Sequence, residues 1–431
     1  MKVLRYLSLQ LLYSFIFSKE IYIHDYTNLI HGEDSVANAR DNGIAVSNAI
    51  QDAEREDIVI LEKDEIIYYI PLQYWEGKYN ITLQIEGKVI LHDDYASWPM
   101  ISDDEYYNAF DFRNSNNIQI TGTGKIDGQG FAWWSAFKKG NIVRKRPTIL
   151  LITNSSNIDI NQLRIWNSPR FNIYGDNVTN ISVNHIEIYV KWDITKTFPY
   201  NTDGIDVSGS NIHIYNNKIT NYDDAIAIKP MKNTCTENAL IENNKIIYGV
   251  GISIGSVPSS HHHCVKNVIF RNIHAKQPYK LIYIKTEWSD QSTYPVSMIS
   301  NISYENISAE DPKFWPIYIG PQQQKEPDGK GAGFWPNTNP NVNIRNITIK
   351  DVKITGVNAM QHVGVLRCNN ANPCKNIILN NIKIKGSNLR YICDDDSSMY
   401  GKYENVIPSP KHCVNTNYEQ VLGAIRPFNF V

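Results

Sequence analysis

The sequence predicts an all-β protein folded as a single-stranded right-handed parallel β-helix with a short N-terminal capping helix. A short theme, Asn followed by an apolar–polar–apolar alternation, recurs from Asn80 to Asn376. Such alternation with β-branched residues indicates short strands, and the Asn and Gly residues between them indicate tight turns. The theme returns at variable intervals, such as 23 residues (157 to 180) and 34 residues (267 to 301). A quasi-period with insertions is typical of a solenoid.

The first predicted element is a secretory signal peptide at residues 1–18. It carries Lys2 and Arg5, then an apolar stretch from Leu7 to Phe17 and a polar break. The apolar stretch has 11 residues, and crossing a bilayer takes about 20. We therefore expect a secreted, extracellular protein with no membrane association after signal cleavage.

Residues 19–431 are expected to form one β-helix domain. The N-terminal cap covers about 35–60 and includes a helix within 41–56, where apolar residues stand at helical spacing. The coils cover about 60–390, and a disulfide-bearing tail at 391–431 closes the other end. A cap is needed because the end of a stack of coils exposes apolar surface.

Composition and charge exclude several functional classes. With 42% hydrophobic residues the chain can bury a large core, which argues against a disordered or fibrous protein. Lys+Arg 42 against Asp+Glu 44 gives a net charge of −2, so no general basic field attracts nucleic acid. Removal of residues 1–18 deletes two cations and leaves −4. We expect no nucleic-acid partner, and we expect a monomer.

Six cysteines in a secreted chain suggest disulfides, with 15 possible connectivities. We favour nearest-neighbour pairing, Cys235 with Cys264, Cys368 with Cys374 and Cys393 with Cys413. Since no Cys-x-x-Cys occurs, a cysteine metal site is not expected. Seven glycosylation triplets fit a secretory route without proving it, at Asn80, Asn154, Asn177, Asn180, Asn301, Asn306 and Asn346.

Three carboxylates are expected to meet on neighbouring coils: Asp203, Asp223 and Asp224. Aligning Ile205 with Ile226 puts Asp203 beside Asp224, because each segment runs into the same alternation. Crowding raises the pKa of a carboxyl, so one group can keep its proton near neutral pH. An acid beside ionised carboxylates suits glycoside hydrolysis. On spacing alone, the alternative is a row of Asp residues whose carboxylates hydrogen-bond to turns or bind Ca²⁺.

Several motifs in the right order resemble those of glycoside hydrolase family 28, the polygalacturonases and related pectin hydrolases. The resemblance covers roughly residues 35–390. It is carried by Thr123–Gly130 with Trp133-Trp134, Asn167-Ser168-Pro169, Asn201–Asp206, Asp223–Lys229 and Gly251–Ser256.

The resemblance implies the pectin-lyase-like β-helix and an inverting, metal-independent hydrolysis of a pectin-type polysaccharide without a cofactor. It makes Asp223 the general acid, and Asp203 and Asp224 the groups that activate water. Inversion predicts that acid and base stand about 6.5–9.5 Å apart.

Two departures concern substrate binding. The Gly-His-Gly of the family is here Gly249-Val250-Gly251, so its histidine is absent. The Arg-Ile-Lys of the family is here Tyr283-Ile284-Lys285, so a carboxylate-binding arginine is absent while the lysine remains. We expect substrate-binding positions at Lys285, Tyr283, Asn201, Gly251 and Asp206, with a turn or supporting role favoured for Asp206.

Other candidates are weaker. His261-His262-His263 beside Cys264 cannot all face one ion on a regular element, so no metal site is expected there. Sugar stacking is considered for Trp192 and Trp288, and burial is favoured for Trp166, Trp315 and Trp335. Two other functions stay open: Ca²⁺-dependent pectate elimination, and a polysaccharide-binding or structural β-helix whose active site has decayed.

Overall fold

The computed structural model describes residues 18–26, 32–142, 145–258, 262–287, 296–323, 340–357, 362–369, 371–386, 390–393 and 399–413. Residues 1–17 of the predicted signal peptide and residues 414–431 of the predicted tail lie outside the described residues, as do His261, Trp288 and Trp335.

A helix spans Val36–Asp52 and covers the first coils. It begins five residues before the expected 41–56 segment, because Ser35 caps it by accepting a hydrogen bond from the Asn38 N–H at 3.2 Å. Its buried face consists mainly of small residues that pack on the strand Ile66–Tyr69. A second α-helix, Gly130–Lys138, was not expected from the periodicity, and short 3₁₀ turns occupy Ile23–Asp25 and Pro410–His412. Within the described ranges no helix is long and apolar enough to cross a membrane.

The strands form one 30-stranded, almost wholly parallel sheet wound into three faces, which confirms the predicted right-handed parallel β-helix. The face whose strands directly follow Asp203 and Asp224 in the chain is called the site face. It is built from Trp75–Glu76, Phe110–Arg113, Leu150–Thr153, Ile226–Ile228, Ile252–Val257, Ile282–Glu287, Ile317–Gln323, Gly364–Leu366, Tyr391–Cys393 and the first parts of Ile173–Asn184 and Ile205–Tyr215.

The chain then enters the second face. This face contains the last parts of Ile173–Asn184 and Ile205–Tyr215 together with Glu20–Tyr22, Ile58–Leu61, Tyr79–Ile85, Asn116–Thr121, Ser156–Asn161, Cys235–Glu242, Met399–Ile407 and the first parts of His263–Lys276, Ser297–Glu310, Val342–Val357 and Cys374–Gly386.

The third face leads back to the site face of the next coil. It is built from Ile66–Tyr69, Lys88–Leu91, Lys125–Asp127, Arg164–Trp166, Glu187–Tyr189, Lys218–Asn221, Lys245–Tyr248 and the last parts of the four long strands from 263 to 386. Outside the coils, Met100–Ser102 pairs with Glu105–Tyr106, and Met231–Lys232 pairs with His263–Lys276, both antiparallel.

Asparagines at the bends explain the sequence theme. They adopt left-handed backbone, which Asn tolerates better than other residues with a side chain, and their amides bond from coil to coil. Asn301 Nδ2 donates to Asn267 Oδ1 at 3.0 Å, and Asn346 Nδ2 donates to Asn301 Oδ1 at 2.9 Å. All seven glycosylation triplets begin on such an asparagine, with φ between 49° and 57°. The triplets therefore follow from the needs of the fold, and glycan occupancy stays a prediction.

The interior is a stack of aliphatic side chains in register. Ile158, Ile181 and Ile212 occupy one such row and are all buried. Burying one side chain of this size contributes about 1.5–3 kcal/mol. The three predicted disulfides, Cys235–Cys264, Cys368–Cys374 and Cys393–Cys413, are confirmed.

Candidate active site

Asp203, Asp223 and Asp224 meet where the third face turns into the site face. The predicted register is confirmed, since Ile205 pairs with Ile226 on the next coil. One oxygen of each of the three carboxyls lies within 4.8 Å of the other two. These contacts are closer than the expected 6.5–9.5 Å. The three residues are only 4%, 7% and 1% exposed, so the carboxyls sit in a strongly desolvated place.

Two buried asparagines hold the backbone of the cluster. Asn221 Nδ2 donates to the carbonyls of Thr202, Asp223 and Asp224 at 2.9, 3.0 and 2.8 Å. Asn172 Nδ2 donates to the carbonyl of Asp203 at 2.8 Å. These amides tie three consecutive coils together at the point where the carboxyls are presented. Neither asparagine was singled out from the sequence, because their role depends on which backbone carbonyls the fold brings within reach of the two amides.

Lys229 contacts the carboxyl cluster and was not singled out by the sequence interpretation. Its Nζ lies 3.1 Å from Asp206 Oδ2, 3.5 Å from Asp224 Oδ2 and 3.9 Å from Asp203 Oδ2. A signal was present in the sequence. Ile226, Ile252 and Ile282 pair with one another on successive coils. Lys229 and Lys285 each stand three residues after a member of this column, so the same alignment places both lysines at equivalent positions.

Lys285 contacts the same oxygen of Asp224 as Lys229 does, as expected for a cation of the site. Its buried Nζ donates to Asp224 Oδ2 at 2.9 Å. Ser253 Oγ donates to the other oxygen of Asp224 at 2.7 Å. Asp224 therefore has two ammonium groups and one hydroxyl within contact distance, and the cluster contains four carboxyls, counting Asp206, and two lysines.

The surroundings separate the pKa values of these carboxyls. Burial alone raises the pKa of Asp224, but Lys285 and Lys229 together outweigh it and hold that pKa below its usual value. Burial and the neighbouring Asp206 raise the pKa of Asp203 well above its usual value. Burial raises the pKa of Asp206 to about 6, although Lys229 opposes the shift. The site thus favours an ionised Asp224 beside an Asp203 that holds its proton.

Two carboxyl oxygens in the cluster lack both a hydrogen-bond partner and an ion pair among the described residues. They are Asp203 Oδ1 and Asp206 Oδ1, and both are fully buried atoms. A buried polar atom without a partner is costly. These atoms can accept a hydrogen bond from a water molecule or a sugar hydroxyl, which is consistent with a site built to bind something polar.

Asn201 belongs to a loop held by a buried arginine. Arg146 donates to Asn201 Oδ1 at 2.8 Å, to the Tyr200 carbonyl at 3.0 Å and to the Pro169 carbonyl at 2.8 Å. Sequence reasoning missed Arg146, which is far from Asn201 along the chain. Its three bonds fix the segment that leads into Asp203, so the structure places Asn201 beside the cluster through this loop.

Gly251 and Tyr283 occupy buried positions. Gly251 has φ +95°, and a Cβ atom there would lie 2.3 Å from the Leu281 carbonyl oxygen, so only glycine allows the coils to approach this closely. The Tyr283 ring packs in an apolar cluster with Tyr318, their ring centroids 4.9 Å apart. The Gly251 backbone and the Tyr283 ring serve packing, and the predicted roles of both residues in substrate binding remain predictions.

Val250, at the position of the absent histidine, is buried in the same apolar cluster. Trp192 packs partly buried against this cluster and stacks edge to face on Phe198 and Tyr222. The burial predicted for Trp315 is confirmed, and Trp166 is partly buried. Apolar and aromatic side chains therefore surround the position where the family pattern has a histidine.

Two groups among the described residues have the spacing of metal ligands: Asp203, Asp223 and Asp224, and also His24, Glu62 and Glu65. In the first group two lysine ammonium groups already compensate the carboxylates. In the second, His24 Nδ1 lies 3.0 Å from Glu65 Oε1 and 3.2 Å from Glu62 Oε2.

Fold and site together define a parallel β-helix protein with a buried cluster of carboxyls and lysines where the third face turns into the site face. The family model for glycosyl hydrolases family 28 matches residues 63–400, and the chain belongs to this family.

The chain is 29% identical over 274 residues to a probable endo-xylogalacturonan hydrolase A of Aspergillus oryzae, covering 63% of this chain and 65% of the relative. It is 29% identical over 315 residues to a polygalacturonase of Cryptomeria japonica, covering 71% of this chain and 56% of that protein. The alignments therefore span less than two thirds of these relatives.

Solved structures share the fold. The polygalacturonase of Erwinia carotovora matches with a TM-score of 0.65 and 19% identity, covering 86% of this chain and 95% of that one. The endo-xylogalacturonan hydrolase of Aspergillus tubingensis matches with a TM-score of 0.66 and 18% identity, covering 90% and 100%.

Proposed function

We propose that the protein is a secreted hydrolase that cleaves glycosidic bonds in a pectin-type, uronate-containing polysaccharide, with inversion and by Asp acid–base catalysis. One observation carries the proposal: in a buried carboxyl cluster, lysines hold the pKa of Asp224 down while burial raises the pKa of Asp203. The lowered pKa of Asp224 supplies the base, and the family resemblance assigns the acid to Asp223, whose carboxyl lies in the same cluster.

The bond changes are those of a single displacement. Asp223 gives its proton to the glycosidic oxygen as the bond from that oxygen to the anomeric carbon breaks. A water oxygen forms the new bond to the anomeric carbon, and its proton passes to Asp224. Asp203, with its raised pKa and unpartnered Oδ1, is suited to hydrogen-bond the water and orient it. The charge of the cluster is unchanged when the reaction is complete.

The short carboxyl separation is compatible with this scheme. A water molecule that accepts or donates hydrogen bonds of about 2.7 Å to two oxygens spans up to about 5.4 Å, and the three closest oxygens lie within 4.8 Å. One water therefore fits between two of the carboxyls. Retention through a covalent intermediate, typical of carboxyls about 5–5.5 Å apart, is the alternative stereochemical outcome.

Support for a uronate substrate comes from two sources. The relatives are named as polygalacturonases and endo-xylogalacturonan hydrolases. In this chain Lys285 and Lys229 supply positive charge at the cluster. Point charges of this kind attract a carboxylate but do not bind it in the bidentate manner of an arginine, so we expect weaker recognition of a single uronate than an arginine would give.

The test is product analysis with purified protein on defined pectic substrates. Asp223→Asn and Asp224→Asn should each lower the release of reducing ends by about 10²–10⁴-fold, the usual contribution of a positioned acid or base. Asp64→Asn, at an exposed site, is the matched control and should have native activity. Proton NMR of the first-formed anomer decides between inversion and retention. Undiminished hydrolysis by Asp223→Asn would exclude its assignment as the acid.

A second candidate is a polysaccharide-binding β-helix without activity. The burial of Val250 among apolar side chains favours it, because a histidine at position 250 would fit only if the surrounding apolar side chains repacked. Binding of pectin fragments with no hydrolysis across the substrate panel would establish it. Calcium-dependent elimination predicts unsaturated products that absorb ultraviolet light and that a chelator abolishes, and the two lysines beside the carboxyls disfavour it.

Secretion rests on the predicted signal peptide. N-terminal sequencing of protein recovered from the medium of expressing cells should begin near Lys19. An intact Met1 on the mature protein would contradict it.

A further inference from the structure

A column of basic side chains runs along the third face of the β-helix. The strand register places one residue of each successive coil in this column. In order, its members are Lys88, Lys125, Arg164, Glu187, Lys218, Lys245, His274, Ser308, Lys353 and Lys383. The residue that follows each member points inward and is buried, for example Ile126 after Lys125 and Ile246 after Lys245. The column members therefore face outward.

The column concentrates charge that the whole chain lacks. It contains seven Lys or Arg residues and one Glu, a net of +6 within a chain whose total is −2. The neighbouring outward column contains Asp127, Lys276, Glu310 and Lys385, whose charges cancel. At about 4.8 Å per coil, the nine steps from Lys88 to Lys383 extend about 43 Å.

Stacking cations in register costs folding free energy, since like charges directly opposite on neighbouring strands are destabilising. Three basic residues are consecutive at the start (Lys88, Lys125 and Arg164), and Lys353 stands directly beside Lys383. Charge compensation within the chain is sparse. Lys125 pairs with Asp127 at 3.0 Å and Lys218 with Glu187 at 2.7 Å.

Four of the cations have no ion pair within the part of the chain that the structure describes: Lys88, Lys245, Lys353 and Lys383. The last three of these are exposed. Fold stability alone therefore does not account for the column. A linear polyanion lying along the solenoid axis would neutralise these lysines in turn, because their spacing is set by the coils.

One member of the column, Lys218, lies close to the carboxyl cluster. Lys218 is five residues before Asp223 on the same strand and turn, so their Cα atoms are at most about 17 Å apart. A polymer bound along the column would pass Lys218 and therefore lie near Asp223. The surface thus lies where it could hold a long substrate near the acid–base centre.

We propose that this column, Lys88 to Lys383, is a binding surface for a linear acidic polysaccharide with a carboxylate on successive sugars, separate from the site that cleaves it. The choice of a polyuronate over a polynucleotide rests on the proposed function. Binding here is electrostatic and depends on polymer length, whereas the carboxyl cluster acts on one linkage.

The experiment compares two triple variants of the full chain by affinity electrophoresis in gels that contain polygalacturonate. Lys245→Gln, Lys353→Gln and Lys383→Gln together remove three exposed column charges. The matched control, Lys63→Gln, Lys375→Gln and Lys402→Gln, removes three exposed lysines outside the column. The column variant should bind about tenfold more weakly at low salt, as expected for three exposed ionic contacts, and the control should bind as the native protein does. Raising the ionic strength should remove the difference.

Turnover of a short uronate oligomer separates this proposal from the proposed function. The column variant should cleave the oligomer at the native rate and lose efficiency only on the polymer, through a higher KM. Column-dependent binding without any hydrolysis would support the surface while refuting the enzyme. Equal losses in both triple variants, native affinity in the column variant, or equally strong binding to a single-stranded polynucleotide would each overturn the proposal.

Discussion

Removal of the Lys229 charge should change both the stability of the carboxyl cluster and its pH dependence. Lys229 lies within 3.1–3.9 Å of three carboxylates. At an effective dielectric constant of about 20, one such pair at about 3.5 Å is worth about 5 kcal/mol before desolvation is counted. Breaking a buried pair by removing one partner costs about 3–5 kcal/mol. The Lys229 side chain is 21% exposed and Lys285 remains, so Lys229→Met should cost about 3 kcal/mol at neutral pH.

The sign of the pH dependence follows from the pKa directions. The pKa of Asp224 is held low by Lys285 and Lys229, so its stabilising contribution is present above its usual pKa and is lost as pH falls. In Lys229→Met the pKa values of Asp224 and Asp206 rise. The stability deficit of the variant should therefore be greatest at neutral pH and should shrink as pH falls toward about 4, where these carboxyls take up protons.

Denaturant unfolding at several pH values measures the deficit, and the pH profile of kcat/KM measures the base. The acid limb of that profile should move to higher pH by at least about one unit, which corresponds to about 1.4 kcal/mol. Lys229→Arg keeps the charge and should restore most of the native profile, and Lys63→Met, at an exposed position, should change neither quantity. An unshifted acid limb together with native stability in Lys229→Met would refute this account of the cluster.

Two further substitutions test the backbone that presents the carboxyls. Gly251→Ala should lower the free energy of unfolding by about 2 kcal/mol more than the control Gly140→Ala. Both glycines have positive φ, but only at Gly251 does the new Cβ meet a carbonyl oxygen, 2.3 Å away. Similar losses for the two variants in denaturant unfolding would contradict this. Asn221→Ala removes the side-chain donor to the carbonyls of Thr202, Asp223 and Asp224, of which the last two keep a backbone N–H donor. The substitution should cost about 2 kcal/mol together with most of the activity, and native stability and turnover would show that the amide does not hold the site.

Much of the fold could be read from the sequence because its constraints are local. The Asn residues mark bends where the left-handed conformation is needed, and the alternation that follows each one sets an inward and an outward side. The register of Ile205, Ile226 and Ile252 followed from aligning these themes and is confirmed. Nearest-neighbour disulfides could be predicted because successive coils bring residues such as Cys235 and Cys264 side by side.

Boundaries and additions were less predictable. The capping helix begins at Val36 because of a single side-chain cap at Ser35, and the first strand, Glu20–Tyr22, joins the sheet by pairing with Ile58–Leu61. Pairing of this kind links segments across an intervening helix, and the local pattern of three residues contains too little information to predict it.

For the site, the sequence by itself determined which carboxyls meet, because Asp203 and Asp224 occupy equivalent places in successive repeats of one theme. Only the tertiary structure decided their chemistry. The protonation preferences depend on burial and on the lysines at 229 and 285, which reach Asp224 from different coils. The hydrogen bond from Arg146 to Asn201 joins residues that are 55 positions apart in the chain. Distances and desolvation are properties of packing between coils, and variable insertions separate those coils in the sequence, so no local pattern records them.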